Sequence, residues 1–185
     1  MSKTGQRPEE RLDELWRAYA PAVVRYARRR VLPGEVDEVV AETFVVAWRR
    51  LDDVPEHALP WLLGVARGVS ANVRRTARRR NALTDRLIAQ VPGEETADLP
   101  GDGGLSAQVV AALEALRPDD RELLTLLAWD GLTREEAARA LDVSRATLAV
   151  RLHRVRRRMD ALLADASVRS GPPNAPALLP QTGQP

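Results

Sequence analysis

Apolar residues recur at three- and four-residue spacing through most of this chain, and no stretch alternates with the period of a strand. Leu12, Leu15, Trp16, Tyr19, Val23 and Tyr26 make one apolar stripe, predicting a helix over 9–31. "LPGE" (32–35) breaks it, because Pro33 disfavours helix before it and Gly34 supplies a turn. A second helix is predicted over 35–51, with Val36, Val40, Phe44, Ala47, Trp48 and Leu51 inward. Val39, Val45 and Val46 lie off that stripe, and a helix apolar nearly all round is either buried or docked on a partner. "DDVPEHALP" (52–60) reads as a loop, with Pro60 suited to the first turn of a third helix over 60–80. Leu62, Val65, Val69 and Val73 face inward there. The basic end "RRTARRR" (74–80) is too charged for a core.

The pattern stops at "VPGEETADLPGDGG" (91–104), rich in Gly, Pro and acids, and a domain boundary is expected there. Helices resume over 106–116 and 118–130. From Gly171 the Pro-rich tail is expected to be disordered. The expected fold is all-α: two small helical domains, 9–86 and 106–165, joined by a flexible acidic linker (87–105) and followed by a tail (166–185). Ala, Leu, Arg and Glu dominate the composition, which agrees with helix throughout.

Residues 133–159, "TREEAARALDVSRATLAVRLHRVRRRM", carry the sharpest local signal. Thr133 followed by Glu136 is a capping box. Ala137, Ala138 and Leu141 form a small inner face that lets a second helix cross closely. Asp142 and Val143 make the turn, with Val143 plugging the core, and Ser144 caps the next helix. That helix buries Leu148, Leu152, Val155, Met159 and Leu162 and turns arginines outward. This is the helix-turn-helix pattern, which places its second helix in a DNA major groove. A plain helical hairpin is the competing reading, and the arginine excess and double capping speak against it.

Net charge is only +2, but it is unevenly spread. His57 to Thr84 holds six arginines and no acid, Leu87 to Leu116 five acids and no base, and Arg145 to Arg158 six arginines and no acid. Two basic blocks around an acidic spacer suggest two contacts with a polyanion, against the alternative of solvated helix faces. Cysteine is absent, which excludes disulfides and thiolate sites. His57 and His153 are too far apart in sequence to suggest a metal pair, so no metal or cofactor is expected. Neither a signal peptide nor a membrane segment is expected, and a cytoplasmic location fits.

"LEALRPDDRELLTLLAWDGLTREEAARALDVSRATLAVRLHRVRRRM" (113–159) resembles region 4, the promoter-reading domain of extracytoplasmic-function (ECF) sigma factors of the sigma-70 family. "VDEVVAETFVVAWRRLDDV" (36–54) is similar to region 2.2 and "LPWLLGVARGVSANVRRTARRR" (59–80) to regions 2.3 and 2.4. The resemblance implies a sigma factor that binds core RNA polymerase and directs promoter recognition, with no catalytic site of its own. It implies that Glu38, Glu42, Val45, Arg49 and Arg50 dock on the clamp helices of the largest polymerase subunit. The off-stripe valines would be dry contacts there, or else simply scattered exposed apolars. It implies that loop 52–60 captures a base of the minus-ten element. Trp61 is the tryptophan placed for base contact, while Trp16, Trp48 and Trp129 are expected in the core. Arg67, Arg74, Arg75 and Arg78 would hold phosphates beside it.

Region 4 would read the minus-thirty-five element through Arg145, Thr147, Arg151 and Arg154, with Thr133 and Ser144 at the same surface. Ala146, Ala149 and Val150 would add close approach and thymine-methyl contacts. The acidic linker would thread polymerase channels, or serve only as a solubilising spacer. An anti-sigma protein is the implied regulator. Departures from the family pattern fall at Ala41, where Gln is usual, at Gly68 and Asn72, where Asn and Asp are frequent, at Ala149, often Lys, and at Asp142, commonly Gly; they bear on which promoter is read. Two other classes compete. A helix-turn-helix regulator that binds DNA without polymerase explains 106–163 but not 35–80. A metal nuclease using Asp37, Glu38 and Glu42 lacks a second acidic cluster to complete its site.

Overall fold

The computed structural model describes residues 7–87 and 107–169. The expected linker lies almost wholly outside them, as does the Pro-rich tail beyond Arg169. Seven helices are described: α1 (Pro8–Arg28), α2 (Val36–Arg49), α3 (Leu59–Leu87), α4 (Ala107–Glu114), α5 (Pro118–Ala128), α6 (Arg134–Ala140) and α7 (Arg145–Arg169). Among the described residues there is no strand.

Helix α1 starts with Pro8, whose missing N–H costs nothing in the first turn, and with Glu9 and Glu10 facing the positive end of the helix dipole. Arg25 and Arg28 occupy its last turn, where the dipole favours cations. Leu15, Val23 and Tyr26 are buried, as their spacing predicts, and meet the Val36, Val40, Phe44 and Ala47 face of α2. Thr43, fully buried in α2, satisfies its hydroxyl by donating to the Val39 carbonyl at 2.7 Å. After α2 the chain makes a 3-10 turn (Leu51–Asp53). Buried Val54 then anchors the loop, its carbonyl accepting from Arg11 at 2.7 Å. Helix α3 covers both α1 and α2 with Leu62, Leu63, Ala66 and Val73.

Three sequence expectations need correction. Trp16 is 48% and Trp48 42% exposed rather than core. The buried arc of α1 is centred on Leu15, Val23 and Tyr26, which leaves Trp16 at its rim with one edge against Phe44, ring centroids 4.7 Å apart. The arc of α2 turns instead toward Val39, which is fully buried and belongs to the core, not to an outer contact face. Trp48 is left on the far margin of that arc.

The two halves are in contact. Leu123, Leu126, Leu132, Ala137, Ala140, Leu141 and Leu148 belong to the same buried cluster as the residues of α1–α3. A smaller cluster of Leu113, Leu116 and Val155 ties α4 to α7. Helix α6 lies on α3, and a Cβ built on Gly64 of α3 would stand 3.1 Å from the Ala140 carbonyl oxygen. Glycine in mid-helix costs about 1 kcal/mol relative to Ala, and this close approach is what it permits.

Beside that seam sits a cluster of buried charge. Arg30, 5% exposed, donates Nε to Glu122 at 2.7 Å, Nη2 to Asp130 at 3.2 Å and Nη1 to the Tyr26 carbonyl at 3.0 Å. Its guanidinium carbon lies 3.5 Å from the Tyr26 ring centroid. The Tyr26 hydroxyl donates to Glu122 at 2.7 Å, and Arg29 pairs with Asp130. Burial pushes the Tyr26 phenol well above its ordinary range. Burial also opposes the charge on Arg30, but Tyr26, Glu122 and Asp130 outweigh it and keep its pKa above the usual value.

Candidate nucleic-acid interface

The α6–turn–α7 unit is built by local hydrogen bonds. The Thr133 hydroxyl accepts from the Glu136 backbone N–H at 3.3 Å, and the Glu136 carboxylate accepts from the Thr133 N–H at 2.7 Å. This is the reciprocal box its sequence predicts. The Thr133 backbone N–H, and after it the Thr133 side chain, hold the Glu136 carboxyl below its ordinary pKa. Helix α6 ends in a Schellman motif: the Val143 N–H donates to Ala138 O at 3.0 Å and the Asp142 N–H to Arg139 O at 3.2 Å. Asp142 is therefore left-handed, with φ 53°. The geometry explains why glycine suits this position, and aspartate is among the few other residues that tolerate it. The Ser144 hydroxyl then caps α7, accepting from the Thr147 N–H at 3.1 Å and meeting the Thr147 hydroxyl at 2.8 Å.

With Leu148, Leu152 and Val155 buried, α7 presents Arg145, Ala146, Thr147, Ala149, Val150 and Arg154 to solvent. Val150 is 52% exposed, next to the exposed Ala149 and near Ala146. Arg145 pairs with Glu135 at 2.6 Å, but both are well exposed, so water and salt weaken the pair and a DNA group can replace it. Arg151 is placed differently. It is half-buried, with Nε donating to Asp120 at 3.0 Å and Nη2 lying 3.9 Å from Asp119.

In the first half, Arg67, Arg74 and Arg78 follow one side of α3, with Arg75 a step around it. Arg67 reaches across to Asp119 at 3.5 Å, and Arg74 donates to the Arg30 carbonyl at 3.4 Å. Trp61 is half-buried against the core, with the Arg50 guanidinium 5.8 Å from its ring centroid. Arg50 also donates to Asp53 at 2.9 Å, so it braces loop 52–60. The other docking residues share one exposed stripe of α2: Glu38, Glu42, Val45 and Arg49 recur at four-, three- and four-residue spacing, with Trp48 alongside.

Loop 52–60 and the helix-turn-helix face each other. His57 Nε2 meets the Glu136 carboxylate, and a groove of about 490 Å³ opens between Pro55, Trp61, Ala138, Val143 and Ser144. Sequence reasoning missed this apposition and the Arg30–Glu122–Asp130 cluster. The only signal for the latter was the run Arg28–Arg29–Arg30, and nothing local distinguishes a buried arginine there from an exposed one. Among the described residues no group of three or more His, Asp or Glu is placed to hold a metal ion. No described helix is long and apolar enough to cross a membrane.

The chain matches two family models, sigma-70 region 2 over residues 15–80 and sigma-70 region 4 over 106–159. It is 30% identical over 164 residues to the RNA polymerase sigma factor NccH of Alcaligenes xylosoxydans xylosoxydans, covering 84% of this chain and 88% of that one. Its fold resembles CnrH in complex with the cytosolic domain of CnrY (TM-score 0.57, 25% identity, 88% of this chain and 92% of that one). It also resembles the sigma factor RpoE in complex with the anti-sigma factor NepR from Bartonella quintana (TM-score 0.58, 24% identity, 82% and 96%).

Proposed function

Because the chain belongs to the sigma-70 family, as an RNA polymerase sigma factor of the extracytoplasmic-function type, we propose a division of labour in which α2 docks the core polymerase while α3 and α7 hold promoter DNA. The observation that carries this is the outer face of α7. It is a doubly positioned helix whose leading turns expose Arg145, Ala146, Thr147, Ala149 and Val150 over a buried Leu148–Leu152–Val155 spine. Such a helix fits a major groove. Arg145 offers a bidentate donor fork, and Val150 with its flanking alanines offers apolar contact to thymine methyls. Arg67, Arg74, Arg75 and Arg78 supply phosphate contacts, which give affinity and salt dependence but no base choice. Trp61 serves the minus-ten element from the base of loop 52–60, and Thr133 and Ser144, held in their caps, approach the backbone of the upstream element. Units 9–86 and 106–165 act as the two DNA-handling modules, with 87–105 as their tether.

The chain supplies binding energy, and the polymerase does the chemistry. Its workplace is the cytoplasm, where core polymerase is. An anti-sigma protein is the regulator that fits, by analogy with the NepR complex of RpoE.

The test is run-off transcription with purified core polymerase on genomic fragments, with footprinting of the protein alone in parallel. A specific product that depends on both components is expected. No product on any fragment, together with tight binding of the protein alone to a palindrome, would instead mark a polymerase-independent regulator. Arg145→Ala should lower use of the upstream element by roughly 1–3 kcal/mol if the residue makes a bidentate base contact. Unchanged initiation from promoters that need this element would remove Arg145 from the reading surface.

A further inference from the structure

Arg151 stands apart from the other arginines of its run. It follows Leu148 by three residues and precedes Val155 by four, so it lies beside the buried spine of α7 rather than opposite it. Its side chain is 24% exposed, and Nε donates at 3.0 Å to Asp120, whose side chain is 19% exposed. Asp119 is the looser neighbour, 3.9 Å from Nη2 and mostly in solvent. Arg145, Ala146, Val150 and Arg154, by contrast, are exposed. The basic run of α7 is therefore not one block turned toward a polyanion.

Asp120 belongs to a knot of polar bonds at the start of α5. Its neighbour Arg121 donates Nε to the Leu113 carbonyl at 2.9 Å and Nη2 to the Glu114 carbonyl at 2.6 Å, closing the last turn of α4. Leu113 and Leu116 pack in turn on Val155 of α7. Two consecutive residues of α5 thus reach α7, Asp120 directly and Arg121 through the end of α4. Apolar packing has no direction, so the Leu148–Leu152–Val155 spine by itself lets α7 roll. A charge-assisted hydrogen bond has direction and fixes the roll. A roll of about 20° carries a side chain at the helix's outer radius, roughly 5–6 Å, through about 2 Å. That is more than a hydrogen bond to a base edge tolerates. We infer that Arg151 is a positioning residue rather than a DNA contact: tied to Asp120, it sets the roll of α7 on α5 and so aims Arg145, Thr147 and Val150 at the upstream element. The role rests on the sigma-factor reading, since it needs an upstream element to be read.

The experiment is run-off transcription by the full chain with core polymerase on the genomic fragment that gives the strongest product, and on the same fragment with its upstream element scrambled. The ratio of the two products measures reading of that element. Arg151→Ala and Asp120→Ala should each lower the ratio about tenfold, and the double variant no further, as for two residues acting through one bond. The charge swap Asp120→Arg/Arg151→Asp should regain most of the loss. A DNA contact predicts the opposite sign for Asp120→Ala, which would free Arg151 for a phosphate and remove a repelling carboxylate. All variants are assayed well below their unfolding midpoints, where a role in stability alone leaves the ratio at the wild-type value.

A raised ratio in Asp120→Ala, a wild-type ratio in either single variant, or losses that add in the double variant would overturn the positioning role. So would a helical swap variant that reads the element no better than Arg151→Ala. Should the swap lose its helical circular dichroism, the sign for Asp120→Ala and the double variant decide. No product from the wild type on any fragment defeats the sigma reading, and the positioning role with it. A wild-type product together with any of those overturning outcomes defeats the positioning role alone.

Discussion

Ser70 is a buried hydroxyl in α3 with no hydrogen-bond partner among the described residues. A buried polar group without a partner is costly, and alanine is the better helix former. Ser70→Ala should therefore raise stability by about 1 kcal/mol, seen as a higher midpoint in urea unfolding; a lower midpoint would mean the hydroxyl is satisfied in solution. Thr133 is the opposite case, since its hydroxyl and N–H are both used. Thr133→Ala should cost about 1 kcal/mol at neutral pH. Because the bond from the Thr133 N–H to its carboxylate lowers the Glu136 pKa, the stability it lends is fully present above the ordinary glutamate range. It is lost as pH falls through the lowered folded value. Acid titration of Glu136→Gln should lack that component, and an unchanged acid profile would count against the assignment.

At the scale of elements, α2 shows how one helix serves two faces. Val39, Val40, Thr43 and Phe44 are buried, while Glu38, Glu42, Val45 and Arg49 run down the other side. Val45, 38% exposed, is the apolar centre of that outer stripe. Val45→Glu removes apolar contact and buries a charge in any interface formed there. It should weaken core-polymerase binding at least tenfold in a competition assay while leaving the helical spectrum unchanged. Equal competition by wild type and variant would move the docking face elsewhere. Helix α7 divides in the same way. Its leucine spine is fixed by packing, and its outer face keeps Arg145 and Arg154 in solvent while Arg151 turns back to Asp120.

At the scale of the whole molecule, one apolar cluster runs through both halves, so they should unfold together. Scanning calorimetry should give a single transition for the wild type. Gly64→Leu, which separates α3 from α6, should split it into two. A wild type that already melts in two steps would indicate halves that do not share their core in solution.

Helices, caps and the division into two basic blocks were legible in the sequence because each is set by residues within a few positions of one another. The stripes of α1 and α2, the Thr133–Glu136 box, the Ser144 cap and the Val143 turn all follow from local hydrogen bonding and helical period. The motifs of 36–54, 59–80 and 113–159 carried the family in the same way. What local rules could not say was which side of a nearly all-apolar helix is covered. Val39 proved buried, and Trp16 and Trp48 stand at the rim. Nor could they say where an arginine side chain ends. Arg30 and Arg151 read as members of basic runs, yet one is buried against Glu122 and Asp130 and the other is held by Asp120. Periodicity belongs to a single helix and can be read from it alone. Burial and charge pairing belong to two helices brought together from distant parts of the chain, and the packing of α1, α2 and α3 and of α5 against α1 and α7 decided them.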